Sequence, residues 1–480
     1  MNIPSALYRP SLALLTDLYQ LTMAYGYWRS GMADRQAVFQ LSFRQHPFGG
    51  AFSLACGLAY AIDFLSHVRF TAEDVAYLAE LTGNDGKALF PREFLGSLQE
   101  LRFSCSVDAI PEGTPVFPNQ PLLRVQGPLI QGQLLETALL NIINFQTLIA
   151  TKAARICLAA GGQPVLEFGL RRAQGIDGAL AASRAAYIGG CAATSNVLAG
   201  KLFGIPVRGT HAHSWVMAFD TELEAFEAYA RAMPNNCIFL VDTYNSLAGV
   251  RRAVRVGHWL RDQGHELVGI RLDSGDFVQL GIEARTILDQ AGFPEAFIVG
   301  SNDLDEHAIA RLKAQGSPIG VWGIGTKLVT ADNQPALGGV YKLSAVRSPG
   351  RPWQYKVKLS EDDDKTTTPG ILQVRRYQTD GSFVGDTVYD TRLGIDDAAR
   401  VAGSAGPTWN DLLVPVFRQG EAVYTSPAPA AIRQRAQDQL GRLPPAVTRL
   451  SDPQPYRLEL EPRLAALKSR LIRRARAHAG

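Results

Sequence analysis

Between about residues 160 and 330 the chain repeats one pattern. An apolar, β-prone run closes on polar or glycine-rich residues, and a helical stretch follows. The runs are PVLEFGLRR (164–172), IPVRGTHAHS (205–214), CIFLVDTYN (237–245), LVGIRLDSGD (267–276), AFIVGSND (296–303) and IGVWGIGTK (319–327). Helical stretches such as ELEAFEAYARAM (222–233), GVRRAVRVGHWLRDQG (249–264), QLGIEARTILDQAG (279–292) and LDEHAIARLKAQG (304–316) lie between them. Strands alternating with helices predict a parallel sheet. Apolar runs without period-two alternation predict that both sheet faces are buried. The polar residues always follow the strand, which predicts an irregular TIM-like α/β barrel with its site at the C-terminal strand ends. An open doubly wound sheet is the alternative.

The flanks read differently. TDLYQLTMAYGYWRSG (16–31) has an Asp near a helix start, apolar residues at helical spacing and a closing Gly. AVFQLSFRQHPFGG (37–50) alternates like a strand and then turns. CSVDAIPEGTPVFPNQPLLRVQGPL (105–129) has short β runs broken by Pro and Gly, as in a small twisted sheet. GQLLETALLNIINFQTLIATKAARICLAA (132–160) is apolar and free of breakers, and predicts a long buried helix. Residues 351–390 predict hairpins that return to the first sheet. The division expected is a second α/β sandwich domain from 1–136 with 343–425, the barrel over 137–342, and a linker (SPAPAA) with a basic helix over 426–480.

Charge and cysteine usage narrow the function classes. With 48 basic and 45 acidic side chains the net charge is +3, so nothing favours a nucleic-acid partner. The arginines of the C-terminal helix have no interleaved aromatics, and a solvated surface is the expected role. Five scattered cysteines form no C-x-x-C pair and suit a reducing compartment. The N-terminal stretch lacks the basic-then-apolar pattern of a signal peptide, and no uncharged apolar run reaches membrane-spanning length. A soluble cytoplasmic protein is expected, with neither membrane nor nucleic acid as partner.

The strand ends carry the candidate chemistry. In GTHAHSW, His211 and His213 would share one face of an extended strand. They read as a metal pair, as a catalytic base or acceptor, or as packed core residues. No other histidine falls at a strand end, which argues against a zinc cluster, while a Mg²⁺ ion on aspartates stays open. In RLDSGD, Arg271 offers a forked donor set for a carboxylate or phosphate, and Asp273 and Asp276 offer acceptors for sugar hydroxyls or Mg²⁺. A plain Arg–Asp pair that holds the loop is the bland reading. Glycines in GSND, GIGT and LGGVYK, including Gly300, Gly323 and Gly325, allow close approach of a phosphate to backbone N–H groups. Phe168 can stack on a flat ring, and Arg171 and Arg172 add anion donors.

TDLYQLTMAYGYW, EFGLRRAQG, GTHAHS, RLDSGD, GIGT and LGGVYKL together resemble the nicotinate phosphoribosyltransferase family, over about residues 12 to 370. Their order and number, more than any one of them, make the match specific. The resemblance implies an enzyme of NAD salvage that joins nicotinate to 5-phosphoribosyl-1-diphosphate (PRPP), giving nicotinate mononucleotide and diphosphate. It implies ATP hydrolysis coupled through a phosphohistidine, Mg²⁺ as cofactor, and a homodimer that shares its active sites. The phosphorylated histidine falls on His213. The nicotinate contacts fall on Tyr19, supplied by the partner subunit, and on Phe168, Thr210 and Arg271. Asp242 and Asp273 match carboxylates near the ribose and Mg²⁺. Arg171, Gly300, Asn302, Gly323, Gly325, Thr326 and Thr367 match PRPP and phosphate contacts. His211 matches a position often apolar in relatives, so it inherits no role.

Ser195, in CAATSNVLAG, stands where related amide-using enzymes place an aspartate, and a neutral residue there favours nicotinate over nicotinamide. Two rival readings stand beside this one: a barrel metallohydrolase built on the H-x-H pair, and a non-catalytic pyridine-nucleotide sensor. Quinolinate phosphoribosyltransferase shares the fold type but would need no phosphorylatable histidine.

Overall fold

The computed structural model describes residues 11–360, 366–395 and 408–479. The fold is mixed α/β, and its chain contacts divide it into two compact units. One comprises residues 1–151 and 336–480, the other residues 152–335.

Before the repeating segment lie β1 (Gln36–Phe43), β2 (Ser53–Leu54), β3 (Ser106–Ala109), β4 (Pro115–Val116) and β5 (Leu123–Pro128). The repeating segment supplies β6 (Val165–Glu167), β7 (Ala193–Thr194), β8 (Ile238–Leu240), β9 (Gly269–Leu272), β10 (Phe297–Asn302) and β11 (Val321–Ile324). After it come β12 (Gly339–Arg347), β13 (Gln354–Tyr355), β14 (Leu372–Thr379), β15 (Ser382–Asp390), β16 (Thr408–Asp411), β17 (Val414–Arg418), β18 (Glu421–Ala422) and β19 (Leu458–Leu460).

In the first unit, seven strands run in the order β13-β12-β1-β5-β3-β17-β18. After the repeats the chain returns to this sheet through β12, which pairs antiparallel with β1, and β17, which pairs with β3. Of the described residues in 351–390 only β13 joins it, and β14 and β15 lie instead in a separate four-stranded sheet, β16-β14-β15-β19. The expected hairpins include β14–β15, whose two-residue turn is Asp380-Gly381 with φ of 49° and 78°. Positive φ at both turn residues matches the twist of the strands, which is why Asp-Gly serves there. The helix Leu18–Arg29 forms as its pattern predicts and buries Leu21 and Ala24 among Phe90, Phe94, Leu95 and Leu98. The stretch predicted as one helix over 132–160 is two, Leu129–Leu134 and Glu136–Ala160. The basic C-terminal helix is Pro462–Ala479; Leu458–Leu460 just before it are a strand, parallel to β15.

The second unit holds a six-stranded sheet in the order β7-β6-β11-β10-β9-β8, every pairing parallel. The first strand of the repeat, β6, lies beside the last, β11. Yet among the described residues the ladder stays open between β7 and β8, and no closed barrel forms by strand pairing. The cause is local. IPVRGTHAHS was expected as a strand, but Pro206 has no N–H to donate, and the segment makes a single bridge, Thr194↔Val207. Helices pack closely on this sheet. A Cβ on Gly249, in the helix Ser246–Asp262, would stand 2.1 Å from the carbonyl oxygen of Val241, so only glycine allows that approach.

Candidate active site

Three consecutive strands of the second unit bring polar side chains to their C-terminal ends. In β9, Arg271 is the register partner of Val299 in β10 and of Leu240 in β8. Side chains alternate along a strand, so Ser301, two residues past Val299, shares the face of Arg271. The guanidinium is held on three sides: Nε donates to Ser301 Oγ at 2.8 Å, Nη1 to Thr210 Oγ1 at 2.8 Å, and Nη2 to Asp273 Oδ1 at 3.1 Å. Such a hub is rigid, and it fixes the plane of the fork.

Asp273 receives the same care. Burial alone would raise its pKa, but the Ser301 hydroxyl, Arg271 and His213 outweigh it and hold the carboxyl below its ordinary range. Its backbone N–H donates to Asp242 Oδ2 at 2.9 Å, and the Ser274 hydroxyl donates to the same oxygen at 2.6 Å. Asp242 therefore pins the loop after β9. Its other oxygen, Oδ1, is buried with no hydrogen-bond partner. Asp276 does something different: its Oδ1 accepts the N–H groups of Val278 and Gln279, so it caps the following helix and stays out of this network.

His211 and His213 part company. The segment is not a strand, so the shared face expected for them does not exist. A short helix starts at His213 (His213–Met217) and turns that ring toward β8 and β9. Its Nδ1 lies 3.1 Å from the Thr243 hydroxyl and its Nε2 lies 3.9 Å from Asp273 Oδ2, with 41% of the side chain exposed. His211 instead is buried among Phe226, Tyr229 and Phe239. Burial pushes its pKa down to about 4, so the ring is neutral. The two rings do not converge on one ion. Among the described residues no three or more His, Cys, Asp or Glu side chains cluster as metal ligands.

Phe168 follows β6, its N–H donating to the Ile324 carbonyl at 2.7 Å. Its ring is half-buried and lies over Gly323, where a Cβ would come within 2.8 Å of it. Gly323 is thus a steric requirement of the Phe168 ring. Gly300 likewise makes room for Ile319, at 2.6 Å from a would-be Cβ. Asn302 ends β10 with φ 152°, a backbone conformation that residues with side chains rarely adopt. Gly325 and Thr326 begin the helical turn after β11. Arg171 and Arg172 are exposed in the turn Leu170–Arg172 after Phe168. Ser195 follows β7, its N–H donating to the Glu167 carbonyl at 2.9 Å.

Two candidates belong to the other unit. Tyr19 stands on the helix Leu18–Arg29 with 47% exposure, and its phenol pKa is raised by burial and by Glu136 and Asp17. Thr367 accepts the N–H of Lys358 at 2.9 Å and lines a cleft with Gln40, Arg44 and Lys342.

Sequence reasoning assigned no role to Thr243 or Ser301. The signal for Ser301 was the strand period: in GSND the residue on the face of Arg271 is the serine, and Gly300 and Asn302 lie on the other. Thr243 had a weaker signal, its place beside Asp242 just past β8.

Comparison with known proteins bears on this constellation. Residues 164–358 match the description of the nicotinate phosphoribosyltransferase (NAPRTase) family, residues 14–144 that of its N-terminal domain, and residues 400–468 that of its C-terminal domain. Nicotinate phosphoribosyltransferase of Bacillus subtilis is 42% identical over 466 residues, spanning 94% of this chain and 93% of that protein. The crystal structure of human nicotinic acid phosphoribosyltransferase superimposes with a TM-score of 0.81 at 37% identity, covering 95% of this chain and 99% of that one. Nicotinate-nucleotide pyrophosphorylase from Pyrococcus furiosus shares the fold, with a TM-score of 0.70 at 22% identity and 90% and 96% coverage.

Proposed function

The chain belongs to the nicotinate phosphoribosyltransferase family, and from that premise we propose that the constellation on β9 forms nicotinate mononucleotide from nicotinate and PRPP, with ATP cleavage coupled through His213. The reaction belongs to NAD salvage. The observation that carries this reading is that one arginine, Arg271, is locked by Ser301, Thr210 and Asp273 while Asp273 also faces His213. We read the six-stranded ladder around it as an interrupted, TIM-like barrel.

The chemistry follows from the charges. The pyridine nitrogen attacks C1 of PRPP, the C1–O bond breaks, and diphosphate leaves with the electron pair. Pyridine nitrogen carries no proton, so no base is required; orientation is. Phe168 offers a face for the ring, and Arg271 and Thr210 offer donors for the nicotinate carboxylate. Positive charge develops on the sugar, and ionised Asp273 with Asp242 stabilises it. Gly325, Thr326, Asn302 and Arg171 are the candidate donors to phosphate oxygens.

His213 is the phosphoryl acceptor in this reading. Its lone pair attacks the terminal phosphorus of ATP and ADP leaves. The Asp273 carboxylate near Nε2 favours the proton there, which leaves the lone pair on Nδ1 beside Thr243. A phosphate on Nδ1 of this ring brings about two negative charges to a site that already holds Asp273. The residues fit a Mg²⁺ ion: Asp242 has an orphaned oxygen and Asp273 a second carboxylate. Two carboxylates suit a cation that keeps its waters and takes substrate phosphate oxygens. When bound, Mg²⁺ supplies charge neutralisation for the diphosphate.

Nicotinate is preferred over nicotinamide, because Ser195 puts no negative charge where an amide-using site would repel the acid. In competition, kcat/KM for nicotinate should exceed that for nicotinamide at least ~10-fold; equal values or an amide preference refute the choice. Five scattered cysteines support a reducing, cytoplasmic setting for this reaction.

The active unit is a homodimer in which Tyr19 reaches the partner's site. Subunit complementation tests this. Tyr19→Ala and His213→Ala dimers should each be nearly inactive. After dissociation and random reassociation of an equal mixture, half of the dimers are mixed, and one of their two sites carries both native residues. Activity should return to about a quarter of wild type; no recovery on mixing contradicts a shared site.

A further inference from the structure

At the gap in the six-stranded ladder one side chain accepts an edge hydrogen bond that a neighbouring strand would otherwise take. On the β7 edge, Thr194 bonds the segment after it: its N–H donates to the Pro206 carbonyl at 3.0 Å, and its carbonyl accepts the Arg208 N–H at 3.0 Å. Past Arg208 the backbone leaves the sheet. On the β8 edge, Val241 donates to Arg271 of β9 at 3.2 Å, so by strand alternation the N–H of Leu240 points to the open side. A buried edge N–H needs a partner, and Leu240 is fully buried. Its partner is the imidazole of His211, whose Nε2 accepts at 3.2 Å. The other ring nitrogen, Nδ1, lies 3.4 Å from the Ala212 carbonyl. An Nε2 that accepts leaves the proton on Nδ1, and a neutral ring in an apolar pocket of Phe226, Tyr229 and Phe239 suits that tautomer.

His211 lies between two site residues. Thr210 takes a hydrogen bond from Arg271, and His213 faces Thr243 and Asp273. We propose that His211 is a positioning residue: it stands in for the missing strand between β7 and β8, and by anchoring this irregular segment to Leu240 it sets Thr210 and His213 in register with β8 and β9. It touches no reacting atom. The inference deepens the reading of the site given above, and part of its test is independent of that reading.

Two substitutions separate anchoring from mere filling of space. His211→Phe keeps an apolar ring and removes the acceptor. His211→Gln offers an oxygen at about the reach of Nε2. Hydrogen exchange at the Leu240 amide needs no substrate. It should be slow in the wild type and in His211→Gln, and at least ~10-fold faster in His211→Phe. With nicotinate, PRPP and ATP, His211→Phe should lose about one to two orders of magnitude in kcat/KM, with the rate of phosphoryl incorporation into His213 falling in parallel, and His211→Gln should stay within about threefold of wild type. Wild-type protection and kinetics in His211→Phe overturn the proposal, as does equal loss in both variants with Leu240 still protected. Should His211→Phe not fold, rapid exchange of Leu240 in the wild type still overturns it. A failure of the nucleotide chemistry with Leu240 behaving as stated overturns the functional reading alone.

Discussion

His213→Ala should abolish incorporation of the terminal phosphate of ATP and reduce ATP-stimulated nucleotide formation at least ~100-fold, about 3 kcal/mol in the barrier. The fold should not suffer. The ring is 41% exposed and makes one side-chain hydrogen bond, to Thr243, so thermal stability should change by less than ~1 kcal/mol. The residual, ATP-independent rate should survive, because Arg271, Asp273 and Phe168 still orient the reactants. Initial rates with and without ATP, measured beside a melting curve, check both halves. An unchanged ratio of the two rates in the variant contradicts the coupling role.

A second large effect is expected at Arg271. Arg271→Lys keeps the charge and loses the fork that reaches Ser301, Thr210 and Asp273 together. Lysine is a point donor on a flexible stem and cannot satisfy the three at once. kcat/KM for nicotinate should fall ~100- to 1,000-fold, mostly through KM. A shift in pH dependence should accompany it. Arg271 is among the groups that hold the Asp273 carboxyl below its ordinary range. Weakening that contact raises the pKa, so Asp273 takes up a proton at higher pH and the acidic limb of the rate profile moves upward. A loss in rate with the acidic limb unmoved would assign Arg271 to nicotinate alone and detach it from Asp273.

Much of this was legible in the chain because strand ends announce themselves. The runs that ended in Arg271, in Asp242 and in Phe168 became β9, β8 and β6, with the polar residues at their C-terminal ends. The hydrophobic pattern specifies such strands strongly when both faces are buried. It says little about closure. IPVRGTHAHS carries the same apolar start as its neighbours, yet Pro206 and the turn at His213 divert it after one bridge, so the predicted strand and the shared face of His211 and His213 were both lost. Glycines carry two meanings in a sequence. Gly300 and Gly323 look like phosphate-binding positions, and in the fold each also makes room for a neighbour, Ile319 and Phe168. That second role depends on three-dimensional packing and has no sequence pattern, and it does not exclude the first. Thr243 was missed because a single hydroxyl after an aspartate has no pattern of its own.

Phosphopeptide mapping after exposure to γ-labelled ATP tests the core of this account most directly. Digested without acid, the protein should yield one labelled peptide, containing His213, whose label is lost in acid and discharged when nicotinate and PRPP are added. Label on a serine, on His211 or on no residue at all, with nucleotide still formed and ATP still stimulating, would contradict it.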